Sequence, residues 1–415
     1  MEHYITKIEI EKMRHLSNID IMLNVGKRQH LLITGKNGSG KTTLLLRLQK
    51  YLSAINDRKL NLLKHDYMAW INSVEKALEN VIDEQECYKK AKEYEGNIGL
   101  IKKYSDGVQV HFKGECDLDT LYEQGNFVIA YFSAERKTKI IRANGVQDIR
   151  LKQFYRLEDE PGSVFVKYMV HLKTQQAYAR NESDDETVVR IEKWFERLES
   201  ALRVLFDDKT LQLKYNYKEY DFKIIEKGRE PFSFDELSDG YSSVIHILSD
   251  LILRMDKNWI LENKLSEYDI EGIVLIDELE THLHIELQKK ILPFLTTFFP
   301  RIQFVVTTHS PYILNSISNA KAYDLEKQVE LENLLSYSSE DLAEGYFDSD
   351  EYAEELKIKL ERYRELVEKS TEDLLEEERL ERASLRMELK QISDKLFGEI
   401  KDVFEEIELQ RKKYG

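Results

Sequence analysis

Residues 35–42 read Gly-Lys-Asn-Gly-Ser-Gly-Lys-Thr, a complete phosphate-binding loop of the pattern G-x-x-x-x-G-K-[ST], with Gly35, Gly40, Lys41 and Thr42 on its fixed positions. The apolar run Leu31-Leu32-Ile33 precedes it, and Thr43-Leu44-Leu45-Leu46-Arg47-Leu48 opens a helix behind it. Strand, glycine loop and helix in that order commit the chain to an α/β architecture. Glycines let the backbone of Asn37, Gly38, Ser39, Gly40, Lys41, Thr42 and Thr43 wrap phosphates with its N–H groups inward, and the helix N-terminus adds partial positive charge. Lys41 is placed to reach the β- and γ-phosphates, and Thr42 to offer its hydroxyl to Mg²⁺. A glycine-rich turn with a chance lysine lacks these flanks. The pattern implies a bound nucleoside triphosphate, ATP in the first instance.

The 415 residues leave room for two or three domains, and 42% apolar residues suffice for a substantial core. The two cysteines, Cys87 and Cys116, have neither zinc-ligand company nor redox spacing. The start, Met1-Glu2-His3-Tyr4, has no signal-peptide character, and no segment approaches the roughly 20 apolar residues of a membrane helix. A reduced, cytoplasmic protein is expected, with no membrane partner. The formal charge of −16 is uneven, because residues 341–415 carry 23 Asp/Glu against 14 Lys/Arg. Unselective nucleic-acid binders usually carry the opposite sign. Arg136-Lys137-Thr138-Lys139 with Arg142 and Arg150 could form a local basic strip that meets DNA, or simply a solvated charged surface.

Strands are expected around Ile8 and Ile10, at Ile19–Leu23 and at Leu31–Ile33, then at Phe127–Phe132. Residues 55–124 read as a polar insertion with helical stretches such as Val74–Tyr88, 163–206 as helical, and 210–234 as a hairpin. Ile273–Ile276 and Phe304–Val306 are short apolar runs of the buried parallel kind. Leu356, Leu360, Tyr363 and Val367, then Leu385, Leu389, Ile392, Leu396 and Ile400, follow helical spacing, with a break near Ser370-Thr371. The tail should form a helical hairpin that either packs on the body or docks another subunit. The expected division is an ATPase domain, 1–335, and the hairpin, 336–415. Within the first, a core lobe takes 1–54, 125–150 and 268–335, the insertion 55–124, and a helical lobe 151–267.

Three further segments carry chemistry. Gly272–Ile276 is an apolar strand ending in Asp277-Glu278. An Asp at a strand's C-terminal end sits beside the loop of the neighbouring strand, where it can hold Mg²⁺, and Glu278 can orient or deprotonate water. Phe304-Val305-Val306-Thr307-Thr308-His309 is another apolar strand, ending in a histidine that either makes a local hydrogen bond or contacts the γ-phosphate. Leu237-Ser238-Asp239-Gly240 precedes an apolar helix, where Ser238 and Gly240 present a hydroxyl and free N–H groups. Alone that segment could be an ordinary helix cap. Asp348-Ser349-Asp350 looks like an acidic nuclease motif but has no apolar strand before it.

The order phosphate loop, Leu-Ser-x-Gly, acid strand, histidine strand resembles the ATP-binding-cassette ATPases. That resemblance implies a mixed-sheet core lobe, a helical signature lobe, and a head-to-head dimer in which Ser238 and Gly240 cap ATP held by the opposite subunit. Arg14, ahead of Asn18-Ile19-Asp20-Ile21, is as in the RecF, Rad50 and SMC branch, where an arginine here approaches the nucleotide. Asp277-Glu278-Leu279-Glu280-Thr281-His282-Leu283-His284 looks like the corresponding stretch of RecF-like and OLD-like ATPases. His284 stands where transporter cassettes carry aspartate. Glu280, His282 and His284 are zinc-ligand types, but no third histidine or cysteine lies nearby. Ala130–Arg136 and Val166–Arg180 complete a pattern similar to stand-alone prokaryotic ATPases of anti-phage systems, of the PARIS and Septu kind. The resemblance, over residues 1–320, implies ATP hydrolysis with Mg²⁺ and control of a separate effector encoded nearby. The alternatives are a RecF-like repair ATPase that clamps DNA and, with less support, a transporter's ATPase subunit. The lobe-coupling glutamine of cassette ATPases has no identifiable counterpart.

Overall fold

The computed structural model describes residues 2–60, 102–114, 117–136, 141–261, 269–331, 350–369 and 374–393, with positions 63, 92, 99, 404, 406–409 and 411. The expectations for Val74–Tyr88, Cys87, Cys116, Lys137–Lys139, Asp348-Ser349 and Ser370-Thr371 fall outside these residues. The chain divides into two compact units, residues 1–309 with 316–331, and residues 310–315 with 332–415.

In the first unit, β1 (Tyr4–Met13), β2 (Leu16–Met22) and β4 (Val108–Lys113) form an antiparallel sheet in the order β2-β1-β4. The second sheet runs β12 (Val329–Leu331), β11 (Ala320–Asp324), β3 (His30–Thr34), β10 (Ile302–Thr307), β9 (Glu271–Ile276), β5 (Phe127–Phe132), parallel except for the edge strand β12. Residues of β3, β9 and β10 are buried throughout, as their unbroken apolar runs require of strands covered on both faces. Between the two sheets lies α1 (Lys41–Asn56), whose Leu44, Leu45, Leu48 and Leu52 share one core with Ile5, Ile8, Leu31, Ile33, Ile273 and Val305.

Part of the expected insertion belongs to this core. Val108, Val110 and Phe112 of β4, and Leu118 and Tyr122 of α2 (Leu118–Glu123), are buried in the same cluster. The polar residues alternating along β4 conceal a strand that is half-buried rather than looped out.

The helical lobe consists of α3 (Phe165–Asn181), α4 (Asp185–Phe206) and α5 (Asp239–Leu261), with a small sheet β6 (Gln212–Asn216), β7 (Asp221–Ile225) and β8 (Phe232–Ser233) between α4 and α5. Trp194 of α4 packs edge-on against Tyr168, and its indole N–H donates to the buried Asp256 of α5 at 2.7 Å. After β9, α6 (Ile285–Phe298) returns the chain to β10. Among the described residues no helix is long and apolar enough to cross a membrane.

The second unit contains the one-turn α7 (Pro311–Leu314), then α8 (Asp350–Glu368) and α9 (Glu376–Ser393). Leu360, Tyr363 and Val367 of α8 pack on Leu389 of α9 and on Phe404 and Ile407. The helical pair is thus closed by a third segment, whose Glu408 accepts from Tyr363 at 2.5 Å and from Arg386 at 3.0 Å.

Candidate nucleotide site

The loop 35–40 follows β3 and is shaped by positive φ at Gly35 (133°), Gly38 (87°) and Gly40 (103°), a region that L side chains avoid. A Cβ on Gly35 would meet the Ser39 hydroxyl at 2.9 Å and Asp324 at 3.2 Å, so the turn after β11 props the loop. Lys36 N–H donates to Glu326 in that same turn. Lys36, Asn37 and Gly38 are exposed, while Ser39, Gly40 and Lys41 are buried. The Lys41 ammonium bends back and donates to the carbonyls of Gly35 at 2.7 Å and Lys36 at 3.0 Å. Burial pushes its pKa down, and Glu278, Glu280, Asp277 and Asp324 push it back up.

The acid strand is not the neighbour of the loop strand, as the sequence suggested; the histidine strand β10 lies between them. Thr307 at the end of β10 bridges the gap, a role sequence reasoning missed. Its hydroxyl donates to Asp277 Oδ1 at 2.5 Å and accepts the Glu278 N–H at 2.8 Å. Thr42 donates to the same Asp277 oxygen at 3.3 Å. A threonine hydroxyl beside a carboxylate is the hard-oxygen set that Mg²⁺ takes when phosphates and water complete its shell, so the residues fit that ion. Glu278 sits at φ 43°, a conformation costly for a non-glycine residue. Its carboxylate accepts from Thr281 at 3.4 Å. His309 donates its backbone N–H to Glu280. Burial, then Lys41, lower the His309 pKa, while Glu280, Glu278 and Asp277 oppose them, so the ring is neutral at pH 7.

Of the expected basic strip, Arg136, Arg142 and Arg150 lie among the described residues. Arg136 is 4% exposed. Its Nε donates to Ser243 of α5, one terminal nitrogen to the carbonyls of Ser133 and Asp277, and the other to those of Glu278 and Leu279. All five N–H groups are spent, and burial lowers its pKa to about 10 despite Glu280, Asp277 and Glu278. Arg142 pairs with Asp235 and Arg150 with Asp148 at the surface. Arg136 follows β5, the strand flanking the acid strand, and binds the acid turn to the helix behind the Leu-Ser-x-Gly segment. That place in the chain is the signal that could have found it.

Ser238 is exposed, and among the described residues its hydroxyl has no partner and no hydrogen bond joins 237–240 to the phosphate loop. Gly240 is buried, and a Cβ there would meet the His282 carbonyl at 2.7 Å. Its smallness lets α5 approach the turn after the acids. Arg14, at φ 54° in the β1–β2 turn, is exposed and unpaired among the described residues. Its neighbours Met13 and Leu16 come within 3.6 and 3.5 Å of a Cβ placed on Gly40, which sets that turn against the loop's end. Thr43 follows within α1. No group of three His, Cys, Asp or Glu able to hold a metal occurs among the described residues, so Glu280, His282 and His284 make no zinc site there.

A loop strand, a histidine strand and an acid strand in parallel order, with a helical lobe fastened to the acid turn, define the architecture. That arrangement is an α/β fold consistent with the ABC-like phosphate-loop ATPases that the sequence resembles. Residues 171–315 match the AAA_21 family, described as "AAA domain, putative AbiEii toxin, Type IV TA system". The chain is similar to the Septu protein PtuA of Bacillus mycoides (strain KBAB4), 23% identical over 345 residues, 81% of this chain and 42% of that protein. It is also similar to the "Retron Vc95 probable ATPase" of Vibrio cholerae serotype O1 biovar El Tor, 33% identical over 168 residues, 40% of this chain and 30% of that one. The chain therefore spans less than half the length of these relatives. A solved Smc head bound to the C-winged helix domain of ScpA is 12% identical, with a TM-score of 0.38 over 80% of this chain and 99% of that one. A Septu protein is thus among the proteins similar to this chain, as the sequence resemblance implies.

Proposed function

We propose that this ATPase binds ATP with Mg²⁺, hydrolyses it at a site shared between two subunits, and serves a prokaryotic anti-phage defence system by controlling a separate effector through ATP-dependent assembly. The observation that carries the hydrolytic part is the Thr42–Asp277–Thr307–Glu278 chain of hydrogen bonds, which fixes two acids beside the phosphate loop. The similarity to Septu and retron ATPases supports the defence role.

Lys41 exchanges its loop carbonyls for the β- and γ-phosphate oxygens. The backbone of residues 37–43 donates to the phosphates. Thr42 and Asp277 would hold Mg²⁺, which would supply charge neutralisation at the phosphates. Glu278, its main chain held by Thr307, orients the attacking water and takes its proton. Neutral His309 can donate to the γ-phosphate and register its loss. Arg14 flanks the nucleotide from the β1–β2 turn.

Exposed Ser238 and the α5 N-terminus are left to meet the γ-phosphate of a second copy, so a two-fold dimer with two ATP molecules uses one repeated interface. Hydrolysis removes the bonds across that interface and biases assembly. Buried Arg136 and the paired Arg142 and Arg150 give direct DNA clamping less support.

Ser238→Arg tests the shared site. ATP should bind each subunit normally while hydrolysis and ATP-driven dimerisation are lost, as read by turnover and by light scattering. A Ser238→Arg protein with normal turnover would return this segment to a helix cap. Mixing Lys41→Ala with Ser238→Arg chains should restore part of the hydrolysis through one intact composite site. The defence role is tested by phage challenge of cells carrying the chain with its neighbouring genes. Protection that survives Lys41→Ala would sink the role of ATP in it.

A further inference from the structure

We propose that Glu280 is a positioning carboxylate of the hydrolytic centre: one oxygen fixes His309 through its backbone, and the other holds a water at the γ-phosphate end. This rests on the hydrolytic reading above.

Glu280 lies on the turn after the acid strand, two residues beyond Glu278. Its Oε1 accepts the His309 N–H, while its Oε2 is buried with no hydrogen-bond partner among the described residues. Buried polar atoms are nearly always paired, and the exceptions gather where a water or ligand completes the set. Three nearby basic residues, Arg136, Lys41 and His309, do not complete this one. Arg136 has used all five N–H groups on Ser243 and four carbonyls. Lys41 is turned to Gly35 and Lys36. His309 reaches Glu280 through its main chain. Yet Glu280 is the carboxylate that Arg136 and His309 feel most strongly, and the second that Lys41 feels. A bare, buried carboxylate oxygen set among the phosphate lysine, the histidine and the acid turn is an acceptor waiting for a donor that arrives with the nucleotide. Water is that donor. Glu278 and Glu280 then grip the water layer from two points of one turn, and the His309 backbone registers the grip.

Two variants separate this from a merely structural role. Glu280→Gln keeps an oxygen for the His309 N–H but replaces the free acceptor with a donor; Glu280→Ala removes both. For Glu280→Gln we expect ATP affinity within about twofold of wild type, an unchanged melting temperature, and kcat lower by roughly 10- to 100-fold. Glu280→Ala should lose at least as much. A second readout needs no turnover: the His309 ring pKa, followed by NMR in the nucleotide-free protein, should fall further in Glu280→Gln. The carboxylate opposing burial and Lys41 is then gone, while Glu278 and Asp277 remain.

Wild-type kcat in Glu280→Gln overturns this proposal and leaves the ATPase reading standing. Parallel losses of ATP binding and turnover also overturn it, by marking a structural role. Wild-type protein that binds ATP but never turns it over removes the parent reading and this one with it.

Discussion

Lys41 and Arg136 are both buried cations that gather backbone carbonyls, and they work in opposite ways. Lys41 holds two carbonyls of its own loop, five and six residues back, by the flexible end of a long stem. Arg136 holds three carbonyls about 140 residues ahead, one of its own turn, and a serine of the helical lobe, with every donor used. An ammonium that borrows carbonyls can trade them for phosphate oxygens. A guanidinium whose planar fork is saturated cannot move without breaking the turn that carries both acids. One half of the site is thus exchangeable and the other is fixed.

The strongest way to break this comparison is Lys41→Ala. If Lys41 is the exchangeable cation, ATP affinity measured by titration calorimetry should drop at least about 100-fold, with folding stability nearly unchanged. Unchanged affinity would mean that the phosphates sit elsewhere.

Glu278→Gln comes next. It keeps the shape of the acid turn and should leave ATP binding intact while single-turnover hydrolysis slows about 100-fold. Near-normal hydrolysis would assign the base to another residue, Glu280 first.

Arg136→Lys probes the fixed half. A three-donor point charge cannot span five acceptors, so stability in urea should fall by roughly 2–4 kcal/mol, while ATP affinity changes less than in Lys41→Ala. A fully stable Arg136→Lys protein would show that the fork is not what holds the acid turn.

The mildest test concerns the sheet beneath both halves. His30, at the start of the loop strand, accepts the Phe304 N–H through Nδ1 at 3.1 Å, and burial followed by Arg28 lowers its pKa to about 4. The unfolded state therefore binds the proton first, so its contribution is complete above about pH 6.5 and drains away as pH falls towards 4, by roughly 3 kcal/mol in all. His30→Asn should flatten that part of the stability–pH curve; an unchanged slope would clear His30.

Much of the site was legible because its parts are local. Gly35 to Thr42 must turn and then start a helix, and an apolar run ending in Asp277-Glu278 must be a buried strand with acids at its tip. The core strands followed from the same logic, since fully covered parallel strands have little choice but Val, Ile and Leu. The insertion was harder to read, because β4 alternates polar and apolar residues and shows its partner β1 only in space. Arg136 was illegible for another reason. In sequence it heads a run of basic residues, and only its position behind β5 shows that it is buried.

By itself, then, the sequence determined the glycine turn that opens a helix and the apolar strands that end in two acids and in a histidine, since each is written within a few consecutive residues and depends on short-range backbone geometry. The tertiary structure alone decided how they meet. The register that pairs Val306 with Ile276 sets Thr307 beside Asp277, and the strand order inserts β10 between loop and acids. The same packing turns Arg136 inward and leaves Glu280 with one oxygen that has no partner among the described residues. Such contacts join residues 30 to 140 positions apart, and no local pattern encodes them, because strand order and register are settled by the packing of the whole sheet.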